Sequence, residues 1–144
     1  MTAATPLRMH LIDTSVMARL RHPEVQRVVA GLITDKAAAS CVTLDLEAGY
    51  SGRNLAEVQK VARSRRTRFT NLPVNESIAD RAREVQELLA RKGQQRAAGP
   101  IDLLTAAVAE FHGAVVLHYD EDFEHIASVT RQPQTWVVPR GAVD

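Results

Sequence analysis

Acidic residues follow the short apolar segments of this sequence. Asp13 comes directly after HLI and is followed by two hydroxyl residues, and Asp120 comes shortly after VVLH. Glu47 and Asp102 each fall near the start of a predicted helix. The carboxyl ends of parallel strands meet at one edge of a sheet, which is where ligand crevices lie. We therefore expect these four carboxylates to converge at that edge.

A carboxylate cluster of this kind predicts a metal site. Crowded carboxylates repel one another and cost stability unless a cation neutralises them. Asp122, two residues after Asp120, adds a fifth acid to a set that contains no cysteine and at most one nearby histidine. Such a set selects Mg²⁺ or Mn²⁺ rather than Zn²⁺. Because these ions activate water and clamp the oxygens of a phosphoryl group, the reaction implied is phosphodiester hydrolysis.

Each acid also has a simpler structural explanation. Asp13, Asp120 and Asp122 can cap helices. Asp102 can interact favourably with a helix dipole, and Glu47 can be an exposed helical acid. These roles account for each residue singly but not for their convergence at one predicted edge, which favours the metal site.

Strands and helices alternate along the chain, which predicts an α/β fold with a mostly parallel sheet and helices on both faces. Strands are predicted up to Asp13 and over residues 38–42, 114–117 and 135–138. Helices are predicted over residues 14–21, from Pro23, after an N-cap at Thr43, over 54–67, after an N-cap at Asn75, from Pro100, and over 121–129.

Apolar residues at helical spacing predict the inner faces of three of these helices. The expected inner residues, helix by helix, are Leu55, Val58 and Val61; Ile78, Ala82, Val85 and Leu89; and Ile101, Leu104, Val108 and Phe111.

Length and composition predict one domain spanning residues 1–144, with 45% hydrophobic and 24% charged residues. A chain of this size can bury a core without disulfides, so the single cysteine, Cys41, is expected to be a small buried residue. No apolar run approaches the roughly 20 residues of a membrane span, and the N-terminus has no signal-peptide pattern. We therefore expect a cytoplasmic protein with no membrane partner.

The net charge of +1 conceals a separation of charge along the chain. Residues 53–68 hold six basic residues and one acid, whereas residues 97–130 hold six acids and neither lysine nor arginine. Basic residues beside an acidic site suit a polyanion that is held by its phosphates. We predict that Arg65, Arg66 and Arg68 bind such a substrate, although a charged helix face can also be merely solvated.

Four segments resemble the acidic motifs of PIN-domain ribonucleases: LIDTSV, the Glu47 helix, GPIDLLTAAVA and VVLHYDEDFEHIA. Their order and the chain length are similar to those of VapC toxins from bacterial toxin–antitoxin pairs, over nearly the whole chain. The resemblance implies a PIN-like three-layer α/β/α sandwich. The residues that it implies as catalytic metal ligands are Asp13, Glu47, Asp102 and Asp120, with Asp122 supporting them or binding a second ion. Thr14 or Ser15 would support Asp13 or a metal-bound water.

The same resemblance implies an activity and partners. It implies an endoribonuclease, dependent on Mg²⁺ or Mn²⁺, that cuts structured RNA such as tRNA or rRNA and blocks translation. It also implies a homodimer that is silenced by a cognate VapB-like antitoxin, which inserts an arginine near the acids.

His118 departs from the family pattern, because many members carry Ser or Thr two residues before the fourth acid. A neutral imidazole at this position could hold a water molecule or touch a phosphate, and a protonated one would attract RNA. A packed or solvent-facing histidine is an equal alternative.

Three other classes of function fit some of these features. A Mg²⁺-dependent phosphatase could use a strand-end aspartyl nucleophile, but such enzymes commonly need a second Asp two residues later, where this chain has Ser15, and a catalytic lysine. A receiver-like signalling domain would need paired acids near the first strand and a late lysine. A non-catalytic RNA-binding module would retain RNA without cutting it.

Overall fold

Five short strands form a sheet in which all neighbouring strands are parallel. The computed structural model describes residues 8–144. The strands are β1 His10–Ile12, β2 Ala38–Ser40, β3 Thr70–Asn71, β4 Val115–His118 and β5 Gln134–Trp136. Their spatial order is β3-β2-β1-β4-β5, so the strand that leads into Asp13 lies at the centre of the sheet.

Seven helices accompany the strands in this part of the chain. They are α1 Thr14–Met17, α2 Pro23–Thr34, α3 Val42–Tyr50, α4 Leu55–Arg68, α5 Glu76–Arg91, α6 Pro100–His112 and α7 Asp122–Thr130. The side chains of Asn54 and Asn75 accept hydrogen bonds from the backbone N–H groups of Glu57 and Ile78, so both residues cap the helices that they precede. None of the helices described is long and apolar enough to cross a membrane.

Two apolar clusters cover the two faces of the sheet. Successive side chains of a strand point to opposite faces, and Leu11 and Ile12 of β1 accordingly belong to different clusters. The cluster around Leu11 includes residues of α5, α6 and α7, and the cluster around Ile12 includes residues of α1 and α2. The resulting helix–sheet–helix arrangement confirms the predicted three-layer α/β/α architecture.

Several predicted boundaries shift, and one predicted cap is wrong. The first helix ends at Met17 rather than residue 21, and α3 begins at Val42, so Cys41 and not Thr43 precedes it. Cys41 is buried as expected, with its sulfur 3.1 Å from the hydroxyl of Thr43. The strand β2 ends at Ser40, two residues earlier than predicted, because α3 begins at Val42.

Two predicted inner faces are also partly wrong. In α4, Leu55 is 71% exposed and Val58 is also exposed, whereas Arg65 is buried. In α6, Phe111 is exposed, while Leu103 and Ala106 are buried. Since α6 contacts α5, α7 and the sheet together, a wider face of this helix is covered than the stripe seen in the sequence. The stripe predicted for α5 is fully buried, as expected.

We expect Leu89→Ala to lower the free energy of unfolding by about 2–5 kcal/mol, because Leu89 is fully buried in the α5 stripe and its truncation leaves a cavity. The matched control is Leu46→Ala on α3, where the side chain is 68% exposed, and its effect should stay within about 0.5 kcal/mol. Urea denaturation of the two variants measures the difference. Equal effects would contradict the packing described for α5.

Candidate metal centre

The central strand delivers Asp13 to the carboxyl edge of the sheet. Its carboxylate is buried, and Oδ2 accepts hydrogen bonds from the backbone N–H of Ser15 at 3.0 Å and from the Ser15 hydroxyl at 2.6 Å. Asp13 therefore caps α1, as its simpler explanation requires, and it also faces the other acids of this edge. The two roles coexist because the carboxylate has two oxygens.

Three further carboxylates meet at the same edge. Asp102 lies in the first turn of α6, Asp120 lies in the loop after β4, and Asp122 is the first residue of α7. One oxygen from each lies within 4.8 Å of the others. Asp122, which the family resemblance implies as a supporting residue, thus belongs to the tightest group of acids in the described part of the chain.

The negative charge of this group is not neutralised by basic side chains. None of the salt bridges among residues 8–144 involves the three clustered acids or Asp13. Burial, a hydrogen bond with Asp122 and the charges of the neighbouring acids raise the pKa of Asp102 to about 8. Burial also raises the pKa of Asp13, although its hydrogen bonds to Ser15 oppose the shift. This donor set, with oxygen ligands and excess negative charge, fits a hard divalent cation.

Glu47 lies beside this group on α3. Its Oε1 accepts a hydrogen bond of 2.9 Å from the hydroxyl of Thr14, and its charge contributes to the raised pKa of Asp13. Thr14 therefore orients Glu47. Of the two hydroxyl residues predicted to support Asp13, it is Ser15 that does so. Glu47 and Asp13 flank the three-carboxylate group rather than belonging to it.

His118 is a packed residue and not a phosphate contact. It is 0% exposed, and its ring lies near those of Phe123 and Trp136, with centroids 5.1 and 5.0 Å away. Its Nδ1 accepts the backbone N–H of Asp120, and its Nε2 is hydrogen-bonded to Oε1 of Gln134. Burial lowers the pKa of the imidazole. The packed alternative for His118 therefore holds, and direct contact with RNA does not.

Arg65 differs from the other arginines that were predicted to bind substrate, because it is buried. Its side chain is 9% exposed, its Nε donates to Asp45 Oδ1 at 2.8 Å, and its guanidinium also donates to Ser40 Oγ at 2.8 Å. Since its guanidinium is buried and hydrogen-bonded inside the protein, the structure does not support the prediction that Arg65 contacts phosphate. Arg66 and Arg68 are exposed on the same helix.

Sequence reasoning missed Asp45 and Gln134, which position other residues of the site. The one available signal for the internal role of Arg65 is spacing, since it follows Val58 and Val61 on the same helical face. Gln134 has no comparable signal, because it reaches His118 only through the pairing of β4 with β5.

We expect the melting temperature in EDTA to fall between pH 7 and pH 8. Asp102 keeps its proton in the folded state up to about pH 8, whereas an aspartate of the unfolded chain loses it near pH 3.8. Stability is therefore lost as pH rises through this window. His118 opposes this trend only near and below its ordinary pKa, so the imidazole contributes little in this window.

The Asp102→Asn variant should show a flatter profile over the same pH window, because it has no ionisation to favour the unfolded state. Thermal unfolding followed by circular dichroism at each pH provides the comparison. Parallel profiles for the two proteins would contradict the assigned burial and crowding of Asp102.

A family model and curated relatives match this chain over most of its length. The model of the PIN domain matches residues 10–129. Ribonuclease VapC51 of Mycobacterium tuberculosis is 45% identical over 135 residues, which cover 94% of this chain and 97% of the relative. Ribonuclease VapC21 of the same species is 39% identical over 132 residues, which cover 92% of this chain and 96% of the relative.

Solved structures of VapBC proteins share the fold. A DNA-bound VapBC from Salmonella typhimurium matches with a TM-score of 0.73 at 19% identity, covering 92% of this chain and 100% of the other. VapBC2 from Rickettsia felis, bound to a DNA fragment from its promoter, matches with a TM-score of 0.73 at 14% identity, covering 89% and 98%. From the family model and the identity to the curated relatives, we conclude that this chain belongs to the PIN domain family and is a VapC-type member of it.

Proposed function

We propose that this protein is a metal-dependent endoribonuclease and the toxin of a toxin–antitoxin pair. It would hydrolyse phosphodiester bonds of structured RNA such as tRNA or rRNA in the cytoplasm and so inhibit translation. The observation that carries this proposal is the group of Asp102, Asp120 and Asp122, which has Asp13 beside it and no basic partner among residues 8–144. The relatives named as ribonucleases support RNA as the substrate.

The proposed cofactor is Mg²⁺ or Mn²⁺, which Asp102, Asp120 and Asp122 would hold with Asp13 alongside. When bound, such an ion neutralises charge on a phosphodiester and lowers the pKa of water. Ser15 fixes Asp13 for this purpose through two hydrogen bonds. Among the hydrogen bonds of the described residues, Glu47 uses only Oε1, so its Oε2 is available to accept a proton from the attacking water.

Features around Asp13 count against the phosphatase alternative. Such an enzyme needs a second acid two residues after the nucleophile, and this position is Ser15. The Ser15 hydroxyl already donates to Asp13 and accepts the backbone N–H of Tyr119 at 2.9 Å. It therefore holds the segment after β1 and the loop after β4 in position. A nuclease that uses several carboxylates together fits this arrangement better.

The exposed end of α4 is the proposed substrate contact. Arg66 and Arg68 lie on the surface there, and Arg66 borders a cavity of about 820 Å³ between α3 and α4. Tyr50, which is 92% exposed and lies one turn beyond Glu47, lines the same cavity. RNA passing from the acids along this surface would meet an aromatic ring and two guanidinium groups, which suits the stacking and phosphate contacts of nucleic acids.

A VapB-like antitoxin and a second copy of the chain are the proposed partners. Several of the matching structures are VapBC complexes, so proteins of this fold form such pairs. Exposed apolar side chains on α3 and α4 provide a surface of the kind that protein partners cover: Leu46, Tyr50, Leu55 and Val58. The homodimer rests on the resemblance to VapC toxins.

The test is cleavage of purified tRNA and rRNA by the isolated chain with Mg²⁺, with Mn²⁺ and with EDTA. We expect discrete fragments only with metal, and we expect Asp102→Asn to reduce the rate by about 100-fold or more, because one of the three clustered carboxylates is lost. Asp80→Asn is the matched control, since Asp80 is an exposed acid on α5, paired with Arg83.

Each other outcome selects a different function. Intact RNA together with hydrolysis of a generic phosphate ester would favour the phosphatase. RNA that is retained but not cut would indicate a binding module with acids that no longer act. Cleavage that persists in the Asp102→Asn variant or in EDTA would contradict the proposed site.

We expect the double variant Arg66→Gln, Arg68→Gln to bind tRNA more weakly and with a salt dependence lower by about one unit of logarithmic slope for each lost phosphate contact. Binding is measured in the Asp102→Asn background, so that the RNA stays intact. Arg65→Gln is the contrasting variant, since it should lower stability by breaking the pair with Asp45. An unchanged slope in the double variant would exclude these arginines as phosphate contacts.

A further inference from the structure

The loop that joins β4 to α7 and the first residue of α7 carry two of the three clustered carboxylates, and side-chain acceptors hold the backbone of this segment at three points. The N–H of Tyr119 donates to Ser15 Oγ at 2.9 Å, and the N–H of Asp120 donates to His118 Nδ1 at 3.1 Å. The N–H of Asp122 donates to Asp120 Oδ1 at 3.0 Å. The position of Asp122 thus depends on Asp120, and that of Asp120 on His118.

The imidazole of His118 has both of its nitrogen atoms engaged. Because Nδ1 accepts an N–H, the proton of the neutral ring must lie on Nε2. Nε2 then donates to Oε1 of Gln134, which β5 places beside the buried ring. Gln134 therefore fixes the tautomer, and the tautomer provides the acceptor that Asp120 needs.

We propose that His118 and Gln134 are positioning residues that set the Asp120 carboxylate for metal binding. This inference rests on the metal-dependent function proposed above. Replacing a residue that orients a metal ligand through a hydrogen bond, without binding the metal itself, typically lowers metal affinity by about 10–100-fold. His118 acts in this way without touching the metal or the substrate, since its ring is fully buried.

A role in packing alone would make different demands on this position. The contacts with Phe123 and Trp136 require a ring of this size but no hydrogen-bond acceptor. Removing the acceptor would leave the N–H of Asp120 unpaired in a half-buried part of the loop, which favours a shift of the loop. The positioning role therefore depends on the hydrogen-bond acceptor at Nδ1, whereas a packing role depends on the volume of the ring.

Three variants at His118 separate these roles. In His118→Asn the amide oxygen can occupy the place of Nδ1 and accept the N–H of Asp120. In His118→Gln the amide reaches the place of Nε2 but leaves no hydrogen-bond acceptor at the place of Nδ1. His118→Phe keeps a ring but has neither nitrogen. Gln134→Leu removes the acceptor that fixes the tautomer.

We expect Mn²⁺ affinity, measured by calorimetry, to fall about 10–100-fold in His118→Gln and His118→Phe and to stay within a few-fold of wild type in His118→Asn. Gln134→Leu should also weaken Mn²⁺ binding. Thermal unfolding of each variant establishes that it is folded at the temperature of the titration. Nitrogen NMR of the wild type should show a protonated Nε2 and an unprotonated Nδ1 for the resonances that disappear in His118→Asn.

The failure of this inference is distinguishable from the failure of the proposed function. Wild-type affinity in His118→Phe, equal losses in His118→Asn and His118→Phe, or a proton on Nδ1 would overturn the positioning role while leaving the nuclease intact. A wild-type protein that binds no Mn²⁺ would overturn both.

Discussion

Mutual repulsion among crowded, partly buried carboxylates is the constraint on which the rest of this structure depends. Three of the acids sit at the N-terminal ends of helices, with Asp13 capping α1, Asp102 in the first turn of α6 and Asp122 opening α7. The positive end of a helix dipole offsets part of their charge. Burial, a hydrogen bond with Asp122 and the charges of the neighbouring acids still raise the pKa of Asp102, and a divalent cation would supply the missing positive charge.

The parallel sheet brings these acids together, and hydrogen bonds from side chains outside the acid group fix the segments that carry them. Ser15 connects the segment after β1 to the loop after β4, because its hydroxyl donates to Asp13 and accepts the N–H of Tyr119. Arg65 makes a comparable connection, since it joins α4 to Asp45 on α3 and to Ser40 of β2. A residue of the basic helix thereby helps to hold the helix that presents Glu47.

Local signals in the sequence predicted the parts of this site that depend on local structure. Asp13 at a strand end and Asn75 at a helix cap are examples, because a strand end and a cap are each determined by a few neighbouring residues. The exposure of Leu55 and the partners of Arg65 depend on how α4 packs against α3, and the spacing that places Arg65 on the inner face of α4 does not reveal either. The pairing of His118 with Gln134 likewise arises only when two strands align.

The capping of α1 by Asp13 has a consequence for the interpretation of mutants. One carboxylate oxygen secures the start of a helix, and among the hydrogen bonds of the described residues the other is free to face the acid cluster. An amide at this position has a single acceptor, so Asp13→Asn would keep either the cap or the outward oxygen. Inactivity of an Asp13 variant would therefore reflect two losses together, that of the α1 cap and that of a carboxylate oxygen facing the acid cluster.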